Sequence, residues 1–322
     1  MPTPNRRGFT IVEILVVISI IVVLVGLLAY GIQTASRSAR KTKELNGLRQ
    51  IGLAWAQYST NYQERLLPGW LEESVQELWR TRYRDSRGQT VAREHCRAYP
   101  WRLLPFLSYD FETLYGYLEL EEPNWSGNPA LVAENPLFGI NAYYVGGWWR
   151  ALVVGSPDSP PIARPVFANS TYTDHANRVQ TGRLVVQSQG SIRRPAELVV
   201  FASSAYREPG FYRDRISTYQ PGASWVVPPR LAQTEIWTAS YGSAFGSVTP
   251  GMIAATLNLG MEVLATEAVP IARHNPAIST VRADLSTAAQ GLAELVEMDR
   301  WIDVGDESSG GANTSQFRHS PD

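Results

Sequence analysis

The sequence predicts an α+β protein: a long N-terminal helix, its first half crossing a membrane, packed on a mainly antiparallel β-sheet head. Three observations predict it. The stretch "FTIVEILVVISIIVVLVGLLAY", Phe9 to Tyr30, is long enough for a bilayer's hydrocarbon core, which needs roughly 20 helical residues. Leu45, Leu48, Ile51, Trp55 and Tyr58 then recur at steps of three and four, an amphipathic stripe at helical period. Beyond Pro68 and Gly69, which close any helical pattern, short β-rich runs alternate with proline, glycine and polar breakers.

The elements follow in order. Residues 1–8 form a short basic leader, and residues 9–62 one proline-free helix whose membrane half is 9–30. Gly26, Gly31, Gly47 and Gly52 are the places where that helix can bend, since glycine weakens a helix interior by about 1 kcal/mol. Residues 63–303 form the head. Its strand candidates are "GRLVVQS", "ELVVFAS", "ASWVVPP", "TEIWTAS" and "ISTVRAD", and "NAYYVGGWW" reads as a hairpin around Gly146 and Gly147. "SVQELWRTRYR" reads as a short helix, and "STAAQGLAELVEM" as another with Ser286 as its N-cap. The tail, 304–322, is glycine- and serine-rich and is expected to be disordered. No period of 20–50 residues marks a repeat array.

Composition narrows the function classes. The 322 residues carry a formal net charge of −1, which argues against a phosphate-driven nucleic-acid binder. A single cysteine, Cys96, excludes an intrachain disulfide. The ten tryptophans all follow residue 50; a tryptophan-studded core explains them better than an aromatic surface does.

The apolar run carries a carboxylate, Glu13, at a cost of a few kcal/mol unless it lies near the interface or finds a partner. Cleaved secretory signals have shorter apolar stretches and small residues at the cut, which "GLLAYG" lacks. A plain signal anchor fits the length and leaves Glu13 unexplained. The contiguous pattern "RRG" then "FTIVE" then the apolar run resembles the leader of type IV pilins and type II secretion pseudopilins. The resemblance implies that a prepilin peptidase cuts after Gly8 on the cytoplasmic face and methylates the new N-terminal Phe9. It further implies that Glu13 pairs with the N-terminal amine of a neighbouring subunit during assembly. A carboxylate four residues from that amine lies about one turn away on the same helix face. The plainer alternative is that Glu13 snorkels to the headgroups.

The same resemblance implies a bacterial inner-membrane protein, single-pass, with its N-terminus cytoplasmic and its head periplasmic, reaching the cell surface when assembled. The positive-inside count runs the other way, with Arg6 and Arg7 before the span and Arg37, Arg40, Lys41 and Lys43 after it. Cytoplasmic cleavage requires the leader inside, and we take that orientation.

Further along, "NGLRQIGLAWAQY" resembles the helix segment of a large family of pilin-like proteins with bulky β-rich heads, and "YPWRLLPFL" a stretch in those heads. That family commonly ends in His, nine residues, then Asp-Gly. Here His274 and Asp284 keep the spacing, and Leu285 replaces the glycine that would favour a tight hairpin.

The head offers little chemistry. His95 beside Cys96 and His175 beside Asp174 lack the spaced second pair of a structural zinc site, and His319 stands in the tail. His274 and Asp284 fit an acid–base dyad or, equally, residues that hold a turn. "DRWIDVGDE" supplies Asp299, Asp303 and Asp306 as weak calcium candidates, against a solvated acidic turn, without the alternation of an EF-hand loop. No P-loop, dinucleotide fingerprint or nucleophile elbow appears. No cofactor is expected, and the chain reads as a non-enzyme. It is expected to be a structural subunit whose partners are the peptidase, the membrane, other copies or other pilin-like subunits, and a pilus or secretion machinery. The alternative is a membrane-tethered periplasmic binding domain, carbohydrate-binding if its aromatic rings are exposed, that uses the leader only as an anchor.

Overall fold

The computed structural model describes residues 11–115, 132–133, 136–153, 159–166, 170–173, 179–182, 184–207, 219–220, 222–231, 234–235, 267–270, 277–295 and 297–303. It is an α+β protein that opens on a long helix, α1, Ile11–Asn61. The chain divides into two compact units, Met1–Lys43 and Glu44–Asp322, and α1 contributes to both. The leader with Phe9, and the tail 304–322, lie outside the described residues.

In the first unit every large apolar side chain from Ile11 to Leu28 is at least half exposed, on all faces of the helix. A helix that is apolar all round needs lipid or protein around it. The hydroxyls in this half close onto their own helix: Ser19 Oγ donates to the Leu15 carbonyl at 2.8 Å and Thr34 Oγ1 to that of Tyr30 at 3.1 Å. Neither therefore needs water.

In the second unit the last turns of α1 form one wall of the core. Leu48, Ile51, Ala54, Trp55 and Tyr58 are buried, as the period predicts. The stripe opens on Glu44 rather than Leu45: Glu44 is buried and accepts a hydrogen bond from Ser203 Oγ, while Leu45 is half-buried. Gly52 is a point of close approach, since a Cβ there would stand 2.9 Å from Val281 Cγ2. The helix ends in two left-handed residues, Gln63 and Glu64, with the Glu64 N–H donating to the Ser59 carbonyl at 2.9 Å.

Short elements follow: β1 Trp70–Leu71, α2 Glu73–Leu78, α3 Pro100–Leu103, α4 Phe111–Tyr115, β2 Phe138–Ile140, β3 Trp148–Leu152, β4 Ile162–Pro165, β5 Ser170–Thr173, β6 Val179–Gly182, β7 Val199–Arg207, β8 Tyr219–Gln220, β9 Arg230–Leu231, β10 Thr234–Glu235, β11 Glu267–Pro270, β12 Ile278–Arg282 and β13 Thr287–Gln290. β7 organises the largest sheet. β12 and β2 both pair with its first half, β11 and β8 with its second, and β13 pairs with β12, all antiparallel. A smaller sheet runs β1-β3-β4, and there β1 lies parallel to β3. Two strand pairs, β5-β6 and β9-β10, complete the described sheets.

The β7 and β12 runs were legible, but "GRLVVQS" and "ASWVVPP" add no strand of their own and make only isolated bridges, at Val186, Ser188 and Trp225, and three further expectations change. Gly146 and Gly147 turn no hairpin: the strands on either side, β2 and β3, belong to different sheets. Both glycines have positive φ, and a Cβ on Gly146 would come within 1.9 Å of the Leu67 carbonyl oxygen. The segment from Ser286 begins as a strand, Thr287–Gln290, and turns helical only at Leu292–Leu295. Ser286 caps nothing and instead donates from Oγ to Asp284 Oδ1 at 2.6 Å, so β12 and β13 make the hairpin that Leu285 put in question. Leu285 itself takes the left-handed conformation, φ 69°. The "SVQELWRTRYR" helix stops at Leu78, and the arginine-rich remainder is not helical.

Two buried clusters join these parts. Arg102, 2% exposed, donates to the carbonyls of Cys96 at 2.7 Å, Arg97 at 3.2 Å, Pro68 at 2.7 Å and Gly69 at 3.2 Å. Trp148 stacks between Trp70 and Tyr143, at centroid distances of 4.6 and 5.2 Å, with Trp225 edge-on at 5.8 Å.

Candidate functional site

The first turn of α1 carries Glu13, the only acidic or basic residue from Ile11 to Ser36. Its side chain is exposed, and its helical neighbours one turn on, Val16 and Val17, are exposed valines. A carboxylate in the first turn suits the positive end of the helix dipole. In a bilayer it stands on an apolar cylinder. Gly8 and Phe9 lie outside the described residues.

Those head residues singled out from sequence that are described have structural employment. Asp284 is exposed, and its Oδ1 accepts from the Ser286 backbone N–H at 2.9 Å as well as from the hydroxyl, which holds the β12–β13 turn. His274, His175, His319 and Asp306 fall outside the described residues. His95 Nε2 lies 3.5 Å from Glu94 Oε1. Cys96 is buried, and burial pushes its thiol up to about 12, against the opposing pull of the Arg102 cation.

Asp303 is buried with both carboxylate oxygens committed: Oδ2 accepts from the Arg193 N–H at 2.7 Å and Oδ1 from the Arg194 N–H at 2.8 Å. Arg194 in turn donates to the Ile302 carbonyl at 2.9 Å and lies 3.9 Å from Asp299. Asn141 Nδ2 donates to the Trp301 carbonyl at 2.7 Å, and Trp301 Nε1 to that of Leu295 at 2.7 Å. These acids therefore clamp residues 297–303 to the head. Burial and the neighbouring Asp299 hold the Glu297 carboxyl above its usual range, with Arg300 opposing. Among the described residues no three His, Cys, Asp or Glu side chains gather as a metal site would.

Of the eight tryptophans in the described residues, Trp55, Trp101, Trp148, Trp225 and Trp301 are buried, which agrees with a tryptophan-studded core. Trp79 is the most open, 39% exposed, and meets Trp149 edge to face at 4.9 Å. The carbonyl hub of Arg102 had no signal in sequence, because its acceptors come from two separated loops.

Residues 3–29 match a family described as the prokaryotic N-terminal methylation motif. The match takes in Gly8, Phe9 and Glu13 and most of the exposed apolar half of α1. No curated protein and no solved structure matches the chain significantly. The chain thus carries a prepilin-type N-terminal methylation motif, consistent with a type IV pilin-like precursor. The motif leads into a helix long and apolar enough to cross a membrane once.

Proposed function

We propose that the protein is a structural pilin-like or pseudopilin subunit, cut between Gly8 and Phe9 by a prepilin peptidase, N-methylated on Phe9, and assembled through the apolar half of α1. The observation that carries this is the contiguous motif at 3–29 running into a helix whose apolar side chains are exposed on every face. Before assembly lipid covers that surface; after it, the same surfaces of neighbouring subunits do. The head stands on the periplasmic side, because the leader must meet the peptidase in the cytoplasm.

Glu13 has the role of setting register. Apolar packing between smooth helices tolerates several axial offsets. One carboxylate opposite one amine selects among them, because a desolvated charge left unpaired is strongly destabilising, by about 3–5 kcal/mol. Among the described residues the membrane-tethered binding domain keeps support chiefly from the Trp79–Trp149 pair, since most of the described indoles are inside the core.

The test is a pair of variants. Gly8→Leu should leave an unprocessed precursor, read by intact mass. Glu13→Gln should be processed and membrane-resident yet absent from crosslinked or sheared oligomers. Normal oligomers from Glu13→Gln would remove the register role, and a mature chain starting anywhere but Phe9 would remove the proposal itself.

A further inference from the structure

The stretch of α1 just beyond the apolar run has no part in processing or in the register set by Glu13. It reads "AYGIQTASRSARKTK", Ala29 to Lys43, and it is purely cationic: Arg37, Arg40, Lys41 and Lys43 follow the run, with no acid between Glu13 and Glu44. Lys41 and Lys43 are the only lysines in the chain. The helix does not break here, since α1 runs from Ile11 to Asn61. Arg40, Lys41 and Lys43 are exposed. Arg37, Arg40 and Lys41, at steps of three and four, share one helix face. Like charges four residues apart, as at Arg37 and Lys41, weaken a helix unless anions stand opposite them.

Axial position decides what these cations can reach. Tyr30 and Ile32, 75% and 60% exposed, end the apolar run, and Gln33 follows them. A tyrosine at that level suits the membrane–water interface. From Ile14 to Ile32 the helix rises about 28 Å, close to the roughly 30 Å of a hydrocarbon core. By the same rise Arg37 stands about 8 Å beyond Ile32, Arg40 about 12 Å, Lys41 about 14 Å and Lys43 about 17 Å. A headgroup layer is about 5–8 Å thick. The field of an anionic surface extends about one Debye length further, ~8 Å at physiological salt. Arg37 therefore stands at the edge of the headgroups, Arg40 and Lys41 within the field, and Lys43 at its limit. The Cα–Cβ bonds of a helix tilt towards its N-terminus, which here is towards the bilayer.

We infer that this stretch of α1 is an anionic-lipid contact, in which Arg37, Arg40 and Lys41 hold the phosphates of the lipids that ring the helix. The occupant is a bilayer lipid because the same unbroken helix leaves the hydrocarbon only a few residues earlier. It is an anionic one because the segment offers cations and no acid. Arginine presents a planar fork that matches phosphate oxygens two at a time, and lysine a point charge on a flexible stem. The contact gives a neutralising partner to the four cations after the span, which outnumber the two arginines before it. It also fixes the depth of the helix, because a slide of one turn out of the bilayer, about 5 Å, carries Arg40 and Lys41 beyond the field. The inference rests on the span alone and needs neither cleavage at Gly8 nor assembly through Glu13.

The test uses the full, uncleaved chain in phosphatidylcholine vesicles that carry a trace of spin-labelled phosphatidylglycerol or spin-labelled phosphatidylcholine. Electron spin resonance separates lipid immobilised against the protein from bulk lipid, and the two associations give a headgroup preference. One cation beside an anionic headgroup contributes a factor of about five, so phosphatidylglycerol should be preferred about fivefold at low salt. Molar salt, where the Debye length is about 3 Å, should bring the ratio near one. Arg6 and Arg7 of the leader flank the other end of the span, and paired variants separate their contribution. Arg6→Gln with Arg7→Gln should keep most of the preference. Arg37→Gln, Arg40→Gln and Lys41→Gln together should abolish it, and Lys43→Gln alone should change it least. Glutamine has nearly the helix propensity of arginine and lysine, so α1 survives these changes. Equal association of the two lipids with the unaltered chain, or a preference indifferent to salt, would overturn the assignment without any reliance on a variant's folding. So would a preference lost in the leader variant and kept in the triple one. Suppression by inorganic phosphate well beyond chloride of equal ionic strength would give the cations to free phosphate and end the lipid assignment.

Discussion

A soluble form of the protein beginning at Arg37 should fold cooperatively, and one beginning at Gln63 should not. The difference is residues 37–62, which include the last turns of α1. The shorter form loses four large side chains from the core: Leu48, Ile51 and Trp55, at most 1% exposed, and Tyr58, 9% exposed. Full burial of one such side chain contributes about 1.5–3 kcal/mol, so the four together contribute about 6–12 kcal/mol. A domain has about 5–15 kcal/mol in all, and the deletion removes most or all of it. It also opens the face on which Val281 packs against Gly52 and strips Ser203 of its acceptor, Glu44. Urea melts followed by tryptophan fluorescence and by far-UV circular dichroism decide the matter. The longer form should give one coincident sigmoid by both probes, and the shorter a broad or absent transition with dye-binding apolar surface. Trp55→Ala in the longer form supplies a graded point and should cost about 3–5 kcal/mol. Equal midpoints and slopes for the two forms would refute the claim that these turns are part of the head's core.

Arg102→Met should destabilise the same soluble form by about 2–5 kcal/mol in urea melts: the carbonyls of Pro68, Gly69 and Cys96 lose donors at about 1–3 kcal/mol each, partly offset by no longer burying a cation. Leu285→Gly should change stability by less than about 1 kcal/mol, because relief of a left-handed residue, about 1–2 kcal/mol, opposes loss of a half-buried side chain; a loss above about 3 kcal/mol would show that packing dominates the turn. Cys96 should resist maleimide at neutral pH in the folded protein and react only on unfolding, since its raised pKa leaves almost no thiolate and its burial blocks access; rapid native labelling would contradict its place in the core.

How far these features were legible depends on whether the cause was local. The stripe from Leu48 to Tyr58 was readable because a 3.6-residue period survives any context. β7 and β12 were readable because their β-branched runs are bounded by breakers. The segment from Ser286 misled for the opposite reason. "STAAQ" has the helix propensity of its alanines, and pairing with β12 overrides it. Two glycines before two tryptophans suggested a hairpin, whereas the glycines are there to let Gly146 lie against the Leu67 backbone. Arg102 was invisible, since nothing about one arginine announces four carbonyls from elsewhere in the chain. The acidic run at 299–303 suggested ligand oxygens, and Asp303 spends both of its own on backbone N–H groups. Glu13 draws attention in the sequence because one carboxylate in an unbroken apolar run contrasts with every neighbour, and its role in assembly is the proposal made above.

The indole stack has an optical consequence. Trp70, Trp148 and Trp225 come from three distant parts of the chain, with Trp70 and Trp148 only 15° from parallel and Trp225 nearly perpendicular to Trp148 at 86°. Electronic transitions on rings this close mix, and an asymmetric arrangement of mixed transitions gives a paired positive and negative band in circular dichroism. Only a chain in which all three segments have met can produce the full signal, while isolated tryptophans contribute little of it. The molecule therefore contains its own reporter of long-range folding, and Trp70→Phe, which keeps a ring and removes an indole, should reduce the couplet while leaving the far-UV sheet signal in place.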